Sequence, residues 1–285
     1  MSWLVDRARA FLADSRDGSI SAADAATLTD GDELCAAMLE LIGVAAGWAR
    51  PGVSGYKVGA VGQGESGALY LGANLEFEGA GLAQTVHAEQ AVVANASAHG
   101  ETGLVRLAVS APPCGHCRQF LYELASADRL EIVLSGKQPA KLADFLPGAF
   151  GPADLGVAGG MLTRAAHALS AAVKDETDVL GEAAVAAANA SYAPYSKAWG
   201  GAAIQVVDGR IFAGQYLENA AFNPSLPPLQ AAYVSAVLGG CGPGDIVAAA
   251  IAQPVDARVD HYRAGMVLLQ MVAPQARMDC VLLSR

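Results

Sequence analysis

The chain of 285 residues is predicted to be an α/β protein that contains two copies of one domain behind a small helical segment. Strand and helix periodicities alternate from about residue 50 onwards, which is typical of an α/β fold. The order of these segments recurs in the second half of the chain, which indicates an internal duplication. Two amphipathic stretches precede residue 50 and predict the helical segment.

The first half has a clear order of predicted elements. Apolar residues at helical spacing predict helices over residues 2–13 and 32–48. Residues 147–160 are rich in glycine and proline and predict a connecting segment. Between them we expect strands at Tyr56–Val61 and Ala68–Gly72 around a turn at 62–67, a helix over 87–99, a strand at Leu104–Ser110, a helix at Cys114–Ala125 and a strand at Glu131–Leu134.

The second half repeats this order. Gly72-Ala-Asn-Leu-Glu76 aligns with Gly214-Gln-Tyr-Leu-Glu218, and residues 54–60 align with residues 196–202. We expect a helix at Asp178–Asn189, strands at Gly200–Val207 and Arg210–Gly214 around an Asp-Gly turn, a helix at Pro228–Leu238, a strand at Asp245–Ala252, a helix at His261–Val272 and a strand at Asp279–Leu283.

Composition narrows the class of protein. Hydrophobic residues make up 53% of the chain and charged residues 16%, which predicts a large core and leaves apolar surface for a subunit interface. The net charge of −10 argues against a polynucleotide partner, which needs a basic face. Five scattered cysteines argue against a secreted disulfide scaffold. With no signal peptide or apolar run of about 20 residues in view, we expect a cytoplasmic protein without membrane contact.

Two short motifs carry the chemistry. His87-Ala88-Glu89 lies 27 positions before Cys114, which opens the sequence Cys114-Gly-His-Cys117. One histidine and two cysteines are suited to Zn²⁺, and three protein ligands leave its fourth position open for water, as in catalytic sites. The spacing H-x-E…P-C-x-x-C is the signature of zinc-dependent nucleobase deaminases. We therefore predict one zinc ion per chain, held by His87, Cys114 and Cys117.

Each of these residues has a simpler interpretation. A C-x-x-C pair alone serves redox chemistry as well as zinc binding. Glu89 is placed to move a proton to and from the metal water, but a carboxylate there also stabilises a helix N-terminus, and both roles can hold. His116 is interpreted as non-ligating because three ligands are already present.

The second copy differs at the corresponding positions. Pro227-Pro228-Leu229-Gln230 occupies the place of the His-Ala-Glu motif, and Cys241 and Cys280 are 39 residues apart. The second copy is therefore predicted to be a structural or interface domain without zinc ligands.

Asn74 and Glu76 follow a predicted strand at positions i and i+2, so their side chains share one face. A carboxamide beside a carboxylate suits the hydroxyls of a sugar. The alternative is that the two side chains only face solvent at the end of a strand, and the sequence alone favours that alternative.

Longer sequence segments around and beyond the two motifs also resemble those of a known family. The chain resembles cytidine deaminases of the long, two-repeat bacterial type. The resemblance rests on Gly72–Phe77, Thr85–Gln90, Pro113–Phe120, Ala149–Leu155 and Ala220–Gln230, the last of which includes Asn-Pro-Ser-Leu-Pro-Pro-Leu-Gln. It implies a three-layer α/β/α fold for each repeat, a small N-terminal helical domain and a homodimer.

The resemblance also implies a division of the chain and roles for its residues. Residues 1–33 would be the helical segment, 34–150 the catalytic zinc domain, 151–175 a linker and 176–285 the second repeat. Glu89 would shuttle protons, and Asn74 and Glu76 would hold the ribose 3′-hydroxyl. The base would meet the backbone of Ala88 and the rings of Tyr56 and Phe150, while Ala111 stands where a larger aromatic residue is expected.

The implied reaction is the hydrolysis of cytidine or deoxycytidine to uridine or deoxyuridine and ammonia, a step of pyrimidine salvage. Water adds to C4 while Glu89 protonates N3, and ammonia then leaves. Three alternatives stay open: deamination of another substrate such as a nucleotide, for which Lys57 and Arg118 are candidate phosphate ligands; editing of a polynucleotide; and a non-catalytic, zinc-stabilised binding protein.

Overall fold

A computed structural model describes residues 3–29, 33–163, 166–172 and 178–284. The chain forms two compact units: Met1–Glu76 with Thr85–Thr163, and Phe77–Gln84 with Arg164–Arg285. The short segment Phe77–Gln84 thus belongs to the second unit, although the chain on both sides of it belongs to the first.

The first unit begins with a helix that packs on a mixed sheet. In chain order its elements are α1 (Trp3–Ser15), β1 (Ser19–Ile20), α2 (Ala22–Ala25), α3 (Leu34–Ala45), β2 (Gly59–Gly64), β3 (Leu69–Ala73), α4 (Ala88–Ala98), β4 (Leu104–Val109), α5 (Gly115–Leu121), β5 (Glu131–Val133), β6 (Ala140–Lys141) and α6 (Leu142–Phe145). The strand order in the sheet is β1-β3-β2-β4-β5-β6, and β4 and β5 run parallel.

Helices cover both faces of this sheet. Successive strand residues point to opposite faces. Val61 of β2 lies in a core cluster with Met38 and Leu41 of α3, whereas a Cβ on the next residue, Gly62, would meet Val92 of α4. The two helices therefore lie on opposite sides of the sheet, which confirms the predicted α/β/α layers.

The second unit repeats the plan. Its elements are β7 (Ser170–Ala171), α7 (Val179–Asn189), β8 (Gly201–Val206), β9 (Ile211–Gln215), α8 (Pro228–Leu238), β10 (Ile246–Pro254), α9 (His261–Val272) and β11 (Arg277–Ser284). The strand order is β7-β11-β10-β8-β9. Its segment β9-β8-β10-β11 reproduces β3-β2-β4-β5 of the first unit in order and in direction, with one parallel pair in each. The predicted duplication is confirmed.

Two predicted boundaries were wrong because each depends on a contact with a residue distant in sequence. The first strand begins at Gly59 and not at Tyr56, because Asn74 holds residues 56–58 as a loop through the Tyr56 carbonyl and the Val58 amide. The helix predicted at Cys114–Ala125 ends at Leu121, because the chain then tightens into a turn and the Ala125 amide donates to Met161.

Several short elements were not predicted. β1 pairs with β3 at the sheet edge, and β6 pairs with β5. Two residues are too few for periodicity to be read from sequence. Ser2 and Asp32, which began the two predicted N-terminal helices, lie outside the described residues. Among the described helices, none is long and apolar enough to cross a membrane.

Candidate active site

The two sequence motifs meet at the amino-terminal ends of α4 and α5. The ligand atoms of His87, Cys114 and Cys117 all lie within 4.8 Å of one another. Nδ1 of His87 is 3.7 Å from Sγ of Cys114, and the two sulfur atoms are 3.5 Å apart. This is the one such group of histidine, cysteine and acidic side chains in the described parts of the chain.

His87 and Cys114 are the N-cap residues of the two helices, α4 and α5 respectively. The backbone amide of His87 donates to Oε1 of Gln90 at 3.1 Å. Both helices point their positive ends at the group, which favours thiolates and other anions there.

The two thiols interact strongly. A hydrogen bond from Cys117 and the amides of the first turn of α5 outweigh burial and lower the pKa of Cys114 to about 4. The bond to Cys114, together with burial, raises the pKa of Cys117. A neutral imidazole and two sulfurs, one of them readily ionised, form a donor set that fits Zn²⁺, which binds thiolates and imidazole nitrogen.

Glu89 lies in the first turn of α4 and is only 5% exposed. Burial is the main influence on this carboxyl and raises its pKa, although a hydrogen bond with Cys117 acts in the opposite direction. A buried carboxyl next to the three ligands is equipped to hold and release a proton there.

A cavity of about 280 Å³ opens in front of this group. Its lining combines metal ligands, two carboxyl groups and small or apolar side chains. The lining residues are Ser54, Tyr56, Val58, Asn74, Glu76, Thr85, His87, Ala88, Glu89, Val109, Ala111, Pro112 and Cys114.

Comparisons with known proteins agree with this geometry. Residues 34–133 match a family model described as the cytidine and deoxycytidylate deaminase zinc-binding region, and residues 142–266 match a second model of that description. A cytidine deaminase of Cronobacter sakazakii is 48% identical over 81% of this chain and 76% of its own length. One of Vibrio parahaemolyticus is 41% identical over 92% and 89% of the two chains.

The chain belongs to the cytidine deaminase family. The predicted resemblance and the zinc cofactor are thereby confirmed, and His87, Cys114 and Cys117 are the described group that could hold the ion. A solved cytidine deaminase structure from Mycobacterium tuberculosis is 32% identical, covers 43% of this chain and 99% of its own, and has a TM-score of 0.39.

In this member of the cytidine deaminase family, Asn74 and Glu76 do more than face solvent at the end of a strand. Asn74 is buried, its Oδ1 accepts from the Val58 amide, and its Nδ2 donates to the Tyr56 carbonyl and to Glu76. Burial opposes ionisation of Glu76, but hydrogen bonds from Ser54 and its neighbours prevail and lower its pKa. Glu76 therefore faces the cavity as a carboxylate.

The predicted base contacts divide into two groups. Tyr56 and Ala88 line the cavity, and Tyr56 is 62% exposed. Phe150 is 45% exposed and is not among the described lining residues, and its carbonyl accepts from Gln119. Ala111 lines the cavity, so its small side chain leaves space there.

Sequence reasoning missed two lining residues with hydroxyl groups, Ser54 and Thr85. Neither was assigned a role, although Thr85 opens the string Thr85–Gln90 and Ser54 opens the string that aligns with residues 196–202. His116 stacks on His87 with ring centroids 5.2 Å apart and stands outside the described three-residue group.

Proposed function

We propose that this protein catalyses the zinc-dependent hydrolytic deamination of cytidine and deoxycytidine, with one water consumed and one ammonia released. The observation that carries the proposal is the buried Glu89 beside His87, Cys114 and Cys117, at a cavity large enough for a small molecule. Zinc and a general acid-base at one site are the two requirements of this chemistry.

The chain's own residues account for the proton movements. When bound, zinc would supply a Lewis acid that lowers the pKa of water. Glu89 takes the proton that the attacking water loses and delivers it to N3 of the pyrimidine, as the water oxygen joins C4. Glu89 then takes the proton of the new C4 hydroxyl and passes it to the 4-amino group. The C4 carbonyl of the product forms as the bond from C4 to the amino nitrogen breaks, and ammonia leaves.

The remaining cavity residues orient the nucleoside. We assign the sugar 3′-hydroxyl to Asn74 and Glu76, and the pyrimidine to the backbone of Ala88 and the ring of Tyr56. Phe150 is proposed as a further contact to the base.

The charges of the cavity favour a nucleoside over a nucleotide. Among the described lining residues the ionisable groups are carboxyls, an imidazole, a phenol and a thiol, without lysine or arginine. The guanidinium of Arg118 is held by other contacts, because it donates to the carbonyls of Pro113 and Phe145. Lys57 is exposed and does not line the cavity.

The cellular setting is part of the proposal. Free cysteines are typical of a reducing compartment, and each of the five cysteines carries a free thiol. We therefore place the enzyme in the cytoplasm, as a homodimer in pyrimidine salvage. We also retain the division into residues 1–33, 34–150, 151–175 and 176–285. Light scattering during size-exclusion chromatography measures the assembly, and a monomer contradicts that part of the proposal.

The deciding experiment incubates the zinc-loaded, full-length protein with cytidine and follows the ultraviolet spectrum. Conversion to uridine with release of one ammonia supports the proposal. A protein that holds zinc but converts neither cytidine nor deoxycytidine refutes it and favours another amine-bearing substrate or a binding role.

A further inference from the structure

Ser54 contacts two residues that are proposed to bind the substrate: Glu76, assigned to the sugar, and Tyr56, assigned to the base. Its hydroxyl donates to Oε1 of Glu76 at 2.6 Å. Its Oγ also accepts from the backbone amide of Tyr56 at 3.0 Å. One small side chain thus connects the carboxylate assigned to the sugar with the residue assigned to the base.

The Glu76 carboxylate accepts four hydrogen bonds from its surroundings. Oε2 accepts from the amides of Val53 and Ser54 at 2.9 and 2.7 Å. Oε1 accepts from the Ser54 hydroxyl and from Nδ2 of Asn74 at 3.1 Å. Three of these four contacts come from residues 53 and 54, so the carboxylate and this loop hold each other in place. The contacts to Oε2 hold one oxygen in place, and those to Oε1 set the rotation of the carboxylate plane.

That rotation is otherwise weakly determined. The terminal torsion of glutamate is broad, and Glu76 is only partly buried. Removal of the Ser54 hydroxyl leaves one side-chain donor on Oε1 and also releases the Tyr56 amide. The carboxylate and the loop would then sample more orientations before a substrate arrives.

We propose that Ser54 is a positioning residue for the sugar subsite: its hydroxyl orients the Glu76 carboxylate and ties the Tyr56 loop to it. The inference rests on the proposed function. The described hydrogen bonds of Ser54 go to Glu76 and Tyr56, so its effect falls on substrate binding and not on the proton transfers of Glu89.

The second unit provides a matched control. The Ser196 amide donates to the Glu218 carboxylate, and its Oγ accepts from the Ala198 amide at 3.0 Å. Ser196→Ala therefore makes the same chemical change in the equivalent loop of the second unit, in which the predicted metal ligands have no counterpart.

The test compares zinc-loaded wild type, Ser54→Ala, Ser54→Thr and Ser196→Ala with cytidine and with 3′-deoxycytidine. Loss of one hydrogen bond to a carboxylate predicts a KM for cytidine raised about 3- to 10-fold in Ser54→Ala, with kcat within about 2-fold of wild type. The increase should shrink with 3′-deoxycytidine, Ser54→Thr should restore KM, and Ser196→Ala should match wild type.

Three results overturn the inference: an unchanged KM, an equal increase with both substrates, or a lower KM, which would mean that Ser54 competes with the sugar for Glu76. Wild type without turnover refutes the proposed function instead. Active wild type with an unaffected Ser54→Ala variant refutes only the positioning role.

Discussion

Glu76 and Glu218 hold equivalent loops of the two units through the same backbone contacts. Each carboxylate accepts from two consecutive amides, at 2.9 and 2.7 Å for Glu76 and at 2.8 and 3.1 Å for Glu218. Each glutamate also lies three residues beyond the second strand of its hairpin, next to a bridged leucine. Both copies of the duplicated domain therefore contain a glutamate that holds the loop before the first strand of the hairpin.

The two copies diverge at the next helix. α4 follows His87 and carries Glu89 in its first turn, whereas α8 follows Pro227 and carries Leu229 at the corresponding place. A proline and a leucine offer neither a metal ligand nor a proton carrier. The scaffold is thus shared, while the proposed chemistry depends on a few side chains at one helix N-terminus.

The first prediction separates proton transfer from metal binding. Glu89→Gln should keep one zinc per chain and lower kcat for cytidine by about 10²- to 10⁴-fold, because the amide cannot carry the proton. Metal analysis and ultraviolet turnover measure the two quantities on one preparation. Glu182→Gln, on the exposed face of α7, is the control and should retain full turnover. Near-native turnover of Glu89→Gln would remove Glu89 from the mechanism.

The second prediction concerns the metal ligands. Cys117→Ser should lose zinc and activity, because Cys117 is buried between Cys114 and Glu89 and serine is a poor zinc ligand. Cys280→Ser removes an exposed thiol of the second unit and should keep both. Zinc content by atomic spectroscopy, before and after dialysis against a chelator, is the measurement. Full zinc occupancy in Cys117→Ser contradicts the ligand assignment.

The sequence predicted the duplicated α/β plan because each repeat places strong periodicity next to strong turn signals. The helix at His261–Val272 has the predicted bounds, since Asp260 caps it and its apolar residues follow one face. The loop at residues 56–58 was missed because its conformation depends on Asn74, 16 to 18 residues away. No local pattern contains that contact.

The zinc ligands could be predicted because a fixed spacing connects them. The role of Asn74 in shaping the cavity could not, because alternation shows only which side chains share a face, not what the neighbouring loop offers them. Ser54 escaped attention for the same reason. Its partners are a carboxylate 22 positions away and a backbone amide.

The third prediction is a pH-dependent contribution of His99 to stability. His99 lies 3.0 Å from Asp17, and this contact raises the pKa of the imidazole. Burial opposes ionisation of Asp17, but hydrogen bonds from His99 and Ser19 keep the pKa of that carboxyl below its usual range. The pair therefore stabilises the folded protein most between about pH 4 and 6.5. In this range Asp17 is ionised, and His99 still binds a proton in the unfolded chain.

This contribution should fade as the pH rises through the raised pKa of His99, and again as it falls below about 4. His99→Gln should cost at most about 1 kcal/mol near pH 5.5, because the pair is partly exposed, and less near pH 9. Thermal melting of both proteins across this range is the measurement. Arg9→Gln, which breaks a pair without histidine, is the control and should show no such trend. A pH-independent difference for His99→Gln contradicts the assignment.

The fourth prediction concerns substrate charge. Cytidine should exceed cytidine 5′-monophosphate in kcat/KM by about 100-fold or more, because the Glu76 carboxylate repels a phosphate and the described lining offers no lysine or arginine; unfavourable charge contacts cost several kcal/mol. Lys57→Ala should leave the ratio unchanged. Competition assays with both substrates measure it directly. Comparable rates, or a ratio that depends on Lys57, would indicate a phosphate subsite at the exposed end of the cavity.

The fifth prediction uses two glycines at equivalent strand positions. A Cβ on Gly72 would lie 2.5 Å from the Ala88 carbonyl and from the Val92 amide, and a Cβ on Gly214 would lie 2.0 Å from an amide of α8. Either alanine must push a helix away from its sheet, at a cost of about 1–3 kcal/mol.

Gly72→Ala moves the helix that carries Glu89, so it should reduce kcat and zinc affinity as well as stability. Gly214→Ala should lower the melting temperature but keep the turnover of the folded protein. Equal effects of the two variants on turnover at a temperature where both are folded would contradict the assignment of the chemistry to the first unit.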